Sequence, residues 1–282
     1  MSWSLPILNR DRAARWTFGF AFLIFIYRFS THALAHQMQQ PVLYETGFDY
    51  TYWLFHATGI PKLITGNNAM AWTFDLLLLS STLYCWITNG RHVRAVLVCA
   101  ICWSFYGLIF NSYSHNHNIC VIGIMVLPYA FLAQKEKKFK LAWEGLRYFY
   151  LYIFADAFIQ KALIKHGLFF FPDGAEFIKI NQGLFMVRHP NSLFTQLYAW
   201  VISHPVLAYT GFLIMILLQG CMIIGFFTKK WDRWLFWIPI LFHTVNFLFI
   251  DVFFYELLIL NLTLLPIVFQ SETRAHNMSR IA

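Results

Sequence analysis

Apolar residues do not alternate with polar ones along this chain; they gather into long runs interrupted by short charged or turn-forming segments. A helix needs about 20 apolar residues, at 1.5 Å rise each, to cross the hydrocarbon core of a bilayer. Runs of that kind fall at 14–36, 70–89, 93–112, 118–134, 143–165, 206–227, 233–250 and 252–270. The fourth and eighth are short, and a tight turn near Asp251 separates the last two. The pattern predicts an all-α fold: a single polytopic transmembrane bundle over 1–282 with about eight spanning helices. The first run follows Arg10, Arg12 and Arg15 and has no small-residue cleavage site, so it is expected to be a span rather than a cleaved leader.

Composition agrees. The chain of 282 residues is 59% hydrophobic and 12% charged, too little charge to cover a soluble domain of this length. The net charge of +8 does not point to nucleic acid, because the basic residues sit in short clusters between apolar runs. Alternate connections hold Arg10, Arg12 and Arg15; Arg91 and Arg94; Lys135, Lys137, Lys138 and Lys140; Lys229, Lys230 and Arg233; and Arg274 and Arg280. The opposite connections hold only Lys62, Lys165, Lys179 and Arg188. Basic residues are retained on the cytoplasmic side, so both termini are expected there. Two longer outer connections remain. Residues 37–69, with Tyr44, Tyr50, Tyr52, Trp53 and Phe55, suit an interfacial helix or lid; 166–205 carries a Pro172-Asp173-Gly174 turn and a candidate amphipathic piece near 175–187. The five cysteines, with Cys99 and Cys102 three apart on one predicted helix, lie in or beside apolar runs and read as packing residues, so neither a disulfide nor a metal site is inferred.

Charged and strongly polar groups at membrane depth cost several kcal/mol unless they face protein or water, which singles out Arg28, Asp75, Asp156, Lys161, His243, Asn246, Glu256 and Asn261. Lys161 lies about four residues, roughly 6 Å, from the outer end of its helix, and His243 about seven residues, roughly 10 Å, from the outer end of the seventh. Asn246, three residues on, shares the His243 face. The polar segment from Asn111 to Asn118 opens the fourth helix on the same side. Arg28, Asp75 and Asp156 sit nearer mid-membrane and suit an internal ionic network. Each has a plainer reading: Lys161 as a snorkelling anchor, His243 as an interhelical hydrogen bond, His115 and His117 as an exposed turn. His-x-His spacing without a third ligand is not a metal site.

Three of these segments together resemble the vitamin K-dependent γ-carboxylase-like transmembrane family, the HTTM domain. Asn116-His117 looks like that family's Asn-His helix start. Phe154-Ala155-Asp156-Ala157-Phe158-Ile159-Gln160-Lys161 is similar to its lysine-terminated helix. Phe242-His243-Thr244-Val245-Asn246, followed by Phe253-Phe254-Tyr255, matches its Phe-His-x-x-Asn segment. The resemblance implies a reduced isoprenoid quinone as ligand, Lys161 as the base acting on it, and His117 and His243 as polar partners. Asn116, Asn246 and Tyr255 would contact the ligand. Desolvation favours a neutral amine, which is compatible with that role. Phe158 and Gln160 stand where the family carries a glycine and a second lysine, and the family's large lumenal domain is not expected after the last helix. The alternative is a non-catalytic accessory subunit that assists maturation or assembly of a membrane or secreted partner protein. The expected location is the bacterial inner membrane.

Overall fold

The computed structural model describes residues 8–38, 57–113, 122–165, 174–251 and 253–267. The fold is helical, with no strand among the described residues, and it divides into two compact units: Met1–Leu146 with Tyr255–Ala282, and Arg147–Phe254.

In the first unit, α1 (Arg10–Ser30) starts where the Asn9 side chain accepts a hydrogen bond from the Arg12 amide. Its buried face is Ala13, Ala14, Thr17, Phe18, Ala21 and Phe25, while Phe20, Leu23, Ile26 and Phe29 on the other side are exposed. The small residues let α1 lie closely along α3 (Asn68–Ile87), which follows the short α2 (Ile60–Thr65). Gly19 is required there: a Cβ would come within 2.9 Å of the Trp86 ring. Phe18 and Phe25 pack edge-on against Trp103 of α4 (Val93–Tyr113), whose indole donates to Thr82 at 2.8 Å. Buried Cys85, Cys99 and Cys102 pack in the same region as free thiols.

Asn89 and Gly90 take left-handed conformations in the α3–α4 turn. Arg10 donates to the Gly90 and Phe131 carbonyls at 3.0 Å each, Arg15 to Asn89 at 3.2 Å, and Arg91 pairs with Asp11 at 2.5 Å. Asp11 thereby holds the exposed Arg91 guanidinium above its ordinary value. Two of the basic connections therefore lie side by side.

At the opposite end of this unit the ionic partners differ from the expected network. Arg28 pairs with Glu256 at 2.5 Å. Asp75 instead accepts from the backbone amides of Ala35 and His36 and meets His36 Nδ1 at 2.6 Å, with the imidazole stacked on Trp72. A buried aspartate that caps a turn is fully engaged and has no need of Arg28.

The fourth and eighth apolar runs fold into short mixed pieces. α5 (Ile122–Val126) continues as a 3-10 turn, Leu127–Leu132. α13 (Tyr255–Leu258) continues as Ile259–Leu264. Each spans roughly 20 Å or less, short of the ~30 Å hydrocarbon core. They cross at Gly123, where a Cβ would collide with the Glu256 carbonyl oxygen.

α6 (Glu136–Ile159) begins in the first unit and passes into the second, where it ends in a π-helical turn, Gln160–Lys165. The second unit goes on with α7 (Gly174–Arg188), α8 (Leu193–Ile202), α9 (Pro205–Cys221), α10 (Ile224–Phe227), α11 (Asp232–Leu235) and α12 (Trp237–Ile250). The connection 166–205 holds two helices, α7 and α8, packed through Ala175, Ile178, Tyr198 and Val201. Arg147, 2% exposed, holds the α10–α11 region through two bonds to Asp232 and one of 2.9 Å to the Gly225 carbonyl. Asp251 takes φ +58° as the C-cap of α12, the tight turn its sequence predicts.

Among the described residues, four helical stretches are long and apolar enough to cross a membrane: Asn68–Ile87, Val93–Phe110, Pro205–Phe227 and Asp232–Ile250. Much of their surface is exposed apolar side chain, as lipid contact requires. The chain is therefore an all-helical integral membrane protein.

Candidate functional site

The second unit brings together two of the expected site residues. Lys161 stands at the start of the π turn, the irregularity that ends α6, and its amine donates to the side-chain oxygen of Gln219 on α9 at 3.1 Å. The same nitrogen lies 5.8 Å from the centre of the Phe242 ring on α12, within cation–π range. Gly220, beside Gln219, leaves room for the Phe158 ring, which a Cβ at that position would meet at 3.0 Å. A glycine and a glutamine on α9 thus receive the Phe158 and Lys161 side chains of α6.

His243 is 1% exposed, and neither ring nitrogen has a hydrogen-bond partner among the described residues. Phe154, Phe242, Phe253 and Phe254 surround it, with ring centres 5.2 to 5.9 Å away. The expectation of an interhelical hydrogen bond is not met. An imidazole in such a cage loses its hydration and gains nothing polar in return, a cost of about 1–3 kcal/mol. Tyr150, one turn before Phe154 on α6, also buries its hydroxyl without a partner among the described residues. This α6–α9–α12 region therefore holds polar groups in a lining made chiefly of aromatic rings.

The other expected residues are less closely placed. Asn246 is half-buried on α12 with no side-chain hydrogen bond among the described residues. Tyr255 belongs to the first unit, where its ring lies 4.9 Å from that of Tyr27. Asn116 and His117 lie outside the described residues, as do His115 and Cys120. No cluster of three or more metal-ligating side chains occurs among the described residues. Gln219, 4% exposed, was not among the groups singled out in the sequence. Its signal was there, as an amide inside the run 206–227, but it carries no charge.

Comparison of the chain with protein families, with curated proteins and with solved structures returns no match.

Proposed function

We propose that the chain is an HTTM-like, quinol-using membrane oxidoreductase whose working group is Lys161. The observation that carries this reading is the Lys161–Gln219 contact beside a buried histidine with no hydrogen-bond partner, in surroundings rich in aromatic rings. A buried imidazole without a hydrogen-bond partner is the kind of orphaned polar group that a ligand or a catalytic role accounts for. Phe154, Phe158, Phe242, Phe253 and Phe254 give the region the aromatic, apolar character that suits a lipophilic ring such as a reduced isoprenoid quinone. Bound there, such a ligand would supply two electrons and an acidic hydroxyl, with dioxygen as the oxidant. Lys161 accepts a proton at Nζ, Gln219 holds the amine in place, and His243 supplies a second polar group behind it. Asn246 is a further candidate contact, and Tyr255, Asn116 and His117 are the remaining residues that the resemblance implies.

The reading includes eight spans with both termini cytoplasmic, in a bacterial inner membrane. The charge distribution supports that topology, and the adjacency of Arg10, Arg15 and Arg91 around one turn is consistent with it. In this arrangement the two short 3-10-ended segments cross the bilayer with help from local thinning. The test is lipid extraction from protein purified in mild detergent. The expected result is an isoprenoid quinone at near-stoichiometric amount, depleted in Gln219→Leu. Co-purification of a partner protein with no quinone would support the accessory-subunit reading instead.

A further inference from the structure

At the other end of the second unit, α11 and the start of α12 carry three tryptophans spaced three apart. Trp231, Trp234 and Trp237 are each about half exposed, at 48, 56 and 51%. Beside them runs a groove of about 500 Å³ lined by Trp234, Trp237, Ile238, Ile240, Leu241 and Thr244. Its one polar side chain is internally satisfied, because the Thr244 hydroxyl donates to the Ile240 carbonyl at 2.8 Å. The ten steps from Trp234 to Thr244 cover roughly 15 Å along the helix axis, half of the ~30 Å hydrocarbon core and so the depth of one leaflet.

The mouth of the groove is cationic. Lys229, Lys230 and Arg233 are exposed on the turn that opens α11, and the Arg233 guanidinium lies over the Trp234 ring at 5.0 Å. Asp232, the first residue of α11, pairs with the buried Arg147, so those two charges cancel. The turn is also held in shape. Arg147 ties it to the Gly225 carbonyl, Thr228 Oγ1 accepts from the Lys230 amide at 3.1 Å, and the Asp232 amide donates to the Lys229 carbonyl at 3.1 Å. Three cations on one braced stretch of backbone, next to the tryptophans that border an apolar slot one leaflet deep, match one kind of occupant. The match is an amphiphile with a negative head and a long acyl chain.

We propose that this face is a binding site for an anionic phospholipid, its phosphate at Lys229, Lys230 and Arg233 and one acyl chain along Trp237, Leu241 and Thr244. The site is separate from Lys161 and does not depend on the reading given to it. Positive charge distinguishes it from the exposed apolar surface of α9, where Val206, Leu207, Ile214 and Leu217 offer hydrocarbon contact alone.

The test is fluorescence quenching of the full chain in nanodiscs doped with lipids brominated on the acyl chain. The Trp234→Phe/Trp237→Phe variant isolates the signal of these two indoles. Brominated phosphatidylglycerol should quench that signal at lower mole fraction than brominated phosphatidylcholine. Each neutralised cation, in Lys229→Gln, Lys230→Gln and Arg233→Gln, should weaken the preference about fivefold, and raised salt should weaken it as well. Leu241→Phe keeps every charge and fills the groove, so it should reduce quenching by both lipids even if the triple neutralisation fails to fold. Equal quenching by the two lipids in the native protein, or a preference that survives loss of the three charges, would overturn the proposal.

Discussion

At the residue scale the account turns on atoms whose hydrogen-bonding needs are met and atoms whose needs are not. His243 costs stability where it stands, so His243→Leu, which fills similar space without polar atoms, should leave the thermal midpoint unchanged or raise it while activity falls. A midpoint that drops by the equivalent of 2 kcal/mol or more would mean that the imidazole has a structural partner. Gln219→Leu removes the acceptor of the Lys161 amine and should destabilise by about 1–3 kcal/mol. Adding Lys161→Met should recover most of that loss, because the pair is then replaced by apolar groups of similar shape. Additive single effects in that cycle would show that the contact carries no coupling. Lys161 and His243 could be found in the sequence because a charge or an imidazole inside an apolar run stands out. Gln219 could not be ranked from sequence, since an uncharged amide in a span is cheap to satisfy and only its position opposite Lys161 gives it meaning. The same holds for Arg147, whose place near an expected cytoplasmic end disguised a buried ion pair as ordinary surface charge.

At the element scale, the apolar runs located the helices but not their inner irregularities. The run 143–165 reads as one continuous helix, yet its last turn is π-helical, a change in hydrogen-bond register that hydrophobicity does not encode. The runs 118–134 and 252–270 were visibly short, and each ends in a 3-10 turn, which hydrophobicity does not encode either; Gly123 brings one backbone against the other at Glu256. The expected Arg28–Asp75 network failed for a related reason. Which cation meets which carboxylate depends on the turn at Ala33–His36, and the sequence says nothing about where that turn folds back. Removing one partner of a buried pair is costly, so Arg147→Met should destabilise the second unit by about 3–5 kcal/mol, read by chemical denaturation in detergent. A loss under 1 kcal/mol would mean that the α10–α11 region is held by other contacts. The α7–α8 hairpin offers a pH test. Tyr198 donates to the Leu248 carbonyl at 2.7 Å, and burial, with Asp251 nearby, raises its phenol above the ordinary value of 10. The folded state therefore holds this proton more tightly than the unfolded one. The resulting stability is complete below about pH 10 and is lost as pH rises through the folded value. Hydrogen exchange in α8 should accelerate above that pH in the native protein, and Tyr198→Phe should lack the alkaline step.

On the scale of the whole molecule, the membrane class follows from the four long apolar helices and their exposed apolar faces, while the topology rests on charge. Single cysteines at Ser112 and Asp173 should react with an impermeant thiol reagent applied outside intact cells, and one at Lys137 should not. Labelling at Lys137 would invert the orientation and place Lys161 in the cytoplasmic half. The central claim is that Lys161 accepts a proton from a reduced quinone, and it is tested most directly by the rate of quinol oxidation in air by purified protein in nanodiscs. Arginine keeps the length and charge of an anchoring side chain but stays protonated at any accessible pH. Native protein should oxidise the quinol well above a lipid-only background. Lys161→Arg, at equal membrane abundance and thermal stability, should fall by about 10²–10⁴-fold, the usual contribution of a general base. Equal rates for the two proteins, or no oxidation above background by either, would contradict the account.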